Sequence, residues 1–125
     1  MGALYYGDAR VAIAIDDRTL AHLRLVILSR LRRGESFPFS WEKPADEGSG
    51  RGTIWLHPSI ALAFDFSGSR EPSVNKTWID ALLICSMSLA GLRAVDEPPE
   101  KHDPVSTPTL AVTDQDGQTV GRSEN

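Results

Sequence analysis

The chain has 125 residues, 41% apolar and 24% charged, with a formal net charge of −4. That size and balance fit one small domain with its own core, and no run of about 18 apolar residues offers a membrane-spanning helix. The acidity is uneven, +1 over residues 1–95 and −5 over 96–125, so neither part has the positive field of a strong electrostatic nucleic-acid binder.

The opening "MGALYYGDAR" has neither the basic nor the apolar stretch of a secretion signal. Cys85 stands alone, so no internal disulfide is possible. Both features predict a cytoplasmic protein.

"ALYY", then Gly7-Asp8, then "RVAIAI" reads as a hairpin with Val11, Ile13 and Ile15 on one face. "DDRTLAHLRLVILSRLRRG" follows as a helix. Asp16 is its predicted N-cap, and Ile15 and Leu20 have the spacing of a hydrophobic staple. Leu20, Leu23, Ile27, Leu28 and Leu31 form the predicted buried stripe. Arg30, Arg32 and Arg33 crowd the last turn, and Gly34 ends it.

"SFPFSWE" puts Phe37, Phe39 and Trp41 on one face with period two. "TIWLH" and "IALAFDF" continue as strands, the latter with Ile60, Leu62, Phe64 and Phe66 on one side. A second helix is predicted from Asn75, with Trp78, Ile79, Leu82 and Leu83 reaching the core. Gly91 closes it, and "LRAV" reads as a last short strand. The order β-β-α-β-β-β-α-β, with short connections, predicts an α+β fold. Its sheet should be mainly antiparallel, with both helices on one face. The other face would carry Ala12, Ala14, Ser40, Trp55, Ala61, Ala63 and Asp65.

At Asp96 the composition changes to Pro, acid, Ser and Thr. Such a segment buries too little apolar surface to offset its ordering entropy. The reading is therefore a folded domain over 1–95 and a disordered acidic tail over 96–125.

"GSGRGT", from Gly48 to Thr53, is the stretch most like a ligand loop. A P-loop needs G-x-x-x-x-G-K-[ST], and here Thr53 follows Gly52 with no lysine between. A phosphate loop also gains affinity from a helix N-terminus, and a strand is predicted next. The stretch reads as a hairpin loop in which Arg51 is available to an anion. His57 and Ser59 are two residues apart and would point to one side, but a hydrolase also needs an orienting acid and an oxyanion hole. The plainer reading of "HPS" is a turn between strands. His22, His57, His102 and Cys85 are scattered without zinc spacing. On a helical wheel Arg18, His22, Arg32 and Arg33 fall within about 100°, which suits either a nucleic-acid backbone or an ordinary solvated face.

"LYYG", "DDRTLAHL", "LRRGESFPFSW", "GSGRGTIWLHPSIALAFDFSGSREP" and "NKTWIDAL" resemble, in order, a family of small actinobacterial proteins of unknown function. The resemblance spans about residues 1–95. Members of that family often carry the label "ATP-dependent DNA ligase". A ligase of that kind forms a lysyl-adenylate in a K-x-D-G motif. Lys43 leads "KPAD", Lys76 leads "KTWI" and Lys101 leads "KHDP", and none fits.

The sequence thus predicts a non-catalytic binding or interaction module with no cofactor, no metal and no membrane association. A protein partner is expected, with nucleic acid as the alternative. Arg51, Trp55, His57, Arg18, Arg32 and Arg33 are the candidate contact residues.

Overall fold

The computed structural model describes residues 1–43, 46 and 48–100. Of the predicted tail over 96–125, the part from residue 101 onward, with Lys101 and His102, lies outside the described residues.

Among the described residues the order is β1 (Gly2–Tyr6), β2 (Val11–Ile15), α1 (Asp17–Leu31), β3 (Phe37–Glu42), β4 (Arg51–Leu56), β5 (Leu62–Asp65), α2 (Lys76–Ser86) and β6 (Leu92–Arg93). The α+β class and the element order match the sequence reading. The strands divide between two three-stranded sheets, β2-β1-β5 and β4-β3-β6, where one was expected. Every pairing is antiparallel except β3 with β6. Neither the division nor the parallel pair could be read from alternation, because alternation assigns a strand's faces and not its neighbours.

The first hairpin turns through Gly7 to Arg10. Gly7 and Arg10 adopt positive φ, and the Arg10 N–H donates to the Gly7 carbonyl at 3.0 Å. Arg10, read from sequence as the first strand residue, therefore belongs to the turn. Asp16 caps α1, accepting from the Thr19 N–H at 3.0 Å. Asn75 caps α2 by accepting from the Trp78 N–H.

Leu20, Leu23, Val26 and Ile27 of α1 meet Leu4, Ile13, Phe37, Phe39, Leu56, Trp78, Leu82 and Leu92 in one buried cluster. Leu28, assigned to that stripe from sequence, instead faces outward at 36% exposure. Val26 takes its place, because the real stripe is rotated by about one position on the wheel.

The two helices run in the same direction. Near their N-termini, the His22 ring lies 4.5 Å from the Trp78 ring. Near their C-termini, Arg30 Nη1 donates to the Ser86 carbonyl at 2.7 Å. His22 is fully buried between them. Its Nε2 accepts from the Asn75 N–H at 2.9 Å, and its Nδ1 lies 2.8 Å from the Arg18 carbonyl. A carbonyl can only accept and an amide N–H can only donate, so the ring is held neutral with its proton on Nδ1. His22 is a structural tie between helices and not part of an exposed basic stripe.

Candidate functional site

β3 is the central strand of its sheet. The residues it turns away from the core are Pro38, Ser40 and Glu42, and their cross-strand partners on β4 are Trp55, Thr53 and Arg51. On the other side Ser40 aligns with Arg93 of β6. Cross-strand partners share a face, so Trp55, Thr53, Arg51, Ser40, Glu42 and Arg93 form one outward surface. Trp55 is 54% exposed there. Ser40 and Thr53 hydroxyls bond at 2.8 Å across the strands. Arg51 and Arg93 are exposed, and neither guanidinium has an ion pair among the described residues. The Trp55 carbonyl accepts a hydrogen bond from the Tyr6 hydroxyl, which ties β4 to β1 of the other sheet.

This surface runs into a cleft of about 990 Å³ between the two sheets. Ala14, Ile15 and Asp16 form one wall, and Arg93, Ala94, Val95, Asp96 and Glu97 form another. Trp41 and Trp78 line it as well. The wall from Val95 to Pro98 is strapped down. The Trp78 indole donates to the Val95 carbonyl at 2.9 Å, and Asn75 Nδ2 donates to the Pro98 carbonyl at 2.8 Å. Glu97 receives the Arg18 guanidinium at two points and Asn75 Nδ2 at 2.9 Å. These donors, Arg18 foremost, hold its carboxyl down at about 2.

"GSGRGT" is settled by this geometry. It closes the β3–β4 hairpin, with the Lys43 N–H donating to the Gly50 carbonyl at 2.7 Å. Among the described residues the element that follows the loop is the strand β4, and no α-helix starts from it. Gly52 lies opposite Trp41, whose ring covers it. A Cβ on Gly52 would sit 2.8 Å from Trp41 Cε2, too close for any side chain. That glycine makes room for the Trp41 ring.

Of the six residues singled out from sequence, Arg51 and Trp55 share one face, and Arg18 lines the cleft with Arg51. The others fall apart. Arg33 donates to Glu35, which Arg30 also holds. These two guanidiniums, Arg30 first, lower the Glu35 carboxyl below its ordinary range. Arg32 is the C-cap of α1, at the opposite end of that helix from Arg18. His57 Nδ1 accepts from the Ser59 N–H at 3.1 Å and lies 2.8 Å from Ser59 Oγ. The pair is real, but it is exposed, and among the described residues no acid is bonded to the other ring nitrogen. A turn that satisfies its own backbone explains it without catalysis.

Sequence reasoning missed Arg93 and Glu97 as site residues, and it read Asn75 only as the start of a helix. Arg93 follows a buried leucine, and strand alternation alone would have turned it outward. Glu97 was assigned to the tail on composition, and nothing local signals its contact with Arg18. Among the described residues no group of three or more His, Cys, Asp and Glu side chains is placed to hold a metal. No described helix is long and apolar enough to cross a membrane.

Residues 1–97 match the family "Domain of unknown function (DUF7882)", and the chain belongs to it. No curated protein and no solved structure matches the chain.

Proposed function

We propose that this domain is a non-catalytic binding module that engages a partner protein through the outer face of the β4-β3-β6 sheet. The observation that carries the reading is the exposed Trp55 indole on the same face as two guanidiniums, Arg51 and Arg93, that have no ion pair among the described residues. A large aromatic with adjacent arginines is the composition that concentrates binding energy at protein interfaces. The Ser40–Thr53 pair and Glu42 supply the polar surround.

A second reading, association with nucleic acid, has its own support on the same face. A base can stack on an exposed indole while arginines meet the backbone. The helix arginines no longer support it, because Arg18 and Arg33 are committed to Glu97 and Glu35. The DNA-ligase label that the resemblance implies adds little to this reading, because Lys43 and Lys76 do not stand in a K-x-D-G motif and neither does Lys101.

Affinity capture from native lysate separates the readings. The full chain is compared with a Trp55→Ala/Arg51→Ala/Arg93→Ala chain. A protein held by the first, lost by the second and unaffected by nuclease supports the main reading. Loss on nuclease treatment supports nucleic acid. Equal capture by both chains would refute this face as the contact surface.

A further inference from the structure

Each sheet has two outer strands, and three of the four are protected in some way against added pairing. β6 is only two residues long. β4 has its Trp55 carbonyl taken by the Tyr6 hydroxyl. β5 carries Asp65. β2 is different. Its sequence is "VAIAI", it pairs one-to-one with β1 without a bulge, and it bears no charge and no proline. Val11, Ala12 and Ala14 are exposed, and the cleft opens alongside Ala14, Ile15 and Asp16. A strand edge without charge, proline or bulge is a template for another strand.

The strand is also complementary to itself. In an antiparallel pair of two copies centred on Ile13, Val11 faces the partner's Ile15 and Ala12 faces the partner's Ala14. Beyond the strand ends, the turn that holds Arg10 in one copy lies toward the helix cap that holds Asp16 in the other. Three β-branched pairs stack on one face, with Ile13 meeting its own copy at the centre, and both ends bring opposite charges near one another. A shift of one residue would set the buried Ile13 face against the exposed alanine face. A shift of two would part Arg10 from Asp16. The twofold axis then lies perpendicular to the sheet, so both copies keep their helices on the same side. An added strand lies about 4.8 Å from its neighbour, and the cleft opens beside β2 at Ala14, Ile15 and Asp16.

We propose that this edge takes a second copy of the chain, giving a dimer with a continuous six-stranded sheet. The contact is isologous and closes on itself. It stands apart from the Trp55 face and does not depend on what that face binds.

The test is the mass of the full chain in solution, by light scattering across a dilution series, with register-specific cross-linking beside it. The wild type should run as a dimer that dissociates on dilution. Ala12→Lys/Ala14→Lys sets lysines opposite one another and should give a monomer with an unchanged circular-dichroism spectrum. In a Cys85→Ser background, mixing Ala12→Cys with Ala14→Cys chains should form a disulfide faster than either chain forms with itself. A wild type that is monomeric at every concentration would overturn the proposal. So would a dimer indifferent to the lysines, or cysteines that link fastest at 12 with 12. If the lysine variant fails to fold, the wild-type mass and the cysteine pairs still decide.

Discussion

Arg18 and Glu97 are 79 residues apart in sequence and meet at two points, Nε to Oε1 at 2.8 Å and Nη2 to Oε2 at 2.6 Å. Asn75, the cap of the second helix, donates to the same carboxylate. One acidic side chain thereby joins the start of α1, the start of α2 and the segment that follows β6.

Acid should loosen this junction. The Glu97 carboxyl is lowered from 4.5 to about 2, so the folded state favours its ionised form. The stabilisation is complete above the unfolded value and is lost as pH falls from there toward about 2. Asp17, lowered by the Gly68 and Ser67 N–H groups, and Glu35, lowered by Arg30 and Arg33, act in the same direction. The melting temperature of the wild type should therefore drop across this window. Glu97→Gln should start lower and fall less steeply, since the amide takes up no proton. Parallel curves for the two proteins would remove Glu97 from the account.

Truncation should locate the end of the folded unit. A chain ending at residue 100 keeps Glu97 and the Pro98 carbonyl with their partners. It should melt at the wild-type temperature. A chain ending at residue 95 loses both and should melt several degrees lower. Equal melting of all three chains would show that the strap adds nothing to the domain.

Leu23→Ala should destabilise by roughly 2–5 kcal/mol, because the side chain is fully buried among large neighbours. Leu28→Ala should cost about 0.5 kcal/mol or less, because that side chain faces outward. Urea unfolding measures both. Similar losses at the two positions would place Leu28 in the core.

Gly52→Ala should push the Trp41 ring off the sheet. Tryptophan emission should shift to longer wavelength and the melting temperature should fall. Gly50→Ala is the control, since among the described residues its Cβ would meet only Lys43 Cδ, at 4.0 Å. A silent Gly52→Ala would mean that Trp41 does not need the glycine.

Incubation with ATP and a divalent metal should leave the intact mass unchanged. Lys76 is exposed in the first turn of α2 and Lys43 is exposed just after β3. A lysine nucleophile needs its amine pKa brought down from about 10.4 by burial or a charged neighbour. A mass gain of one AMP, lost on replacing a single lysine, would establish an enzyme.

Much of this fold was legible because its signals are local. The Asp16 and Asn75 caps, the turn glycines and most of the period-two runs act within a few residues and sit where the sequence puts them; "IALAFDF" is the exception, its strand narrowing to Leu62–Asp65 with Ile60 exposed outside it. What stayed hidden depends on distant partners. Nothing near Leu92 says that it lies parallel to Phe39, and nothing near Glu97 says that Arg18 waits for it. The same limit explains the site. Arg51 and Trp55 share a strand, so alternation could group them. Arg18, His22, Arg32 and Arg33 were grouped by a helical wheel, which cannot see that a second helix buries His22.

The position of β1 also sets an order of events in folding. It is the first strand made, yet it sits at the centre of its sheet, between β2 and β5. The β1–β2 hairpin can form at once, but its other edge must wait for Leu62–Asp65. Pairings so distant in sequence are paid for in loop closure before they stabilise anything, and they slow folding. Refolding from urea should therefore be slow for so short a domain. During the wait both edges of the early hairpin are open, and crowding during refolding should cost yield before it costs rate.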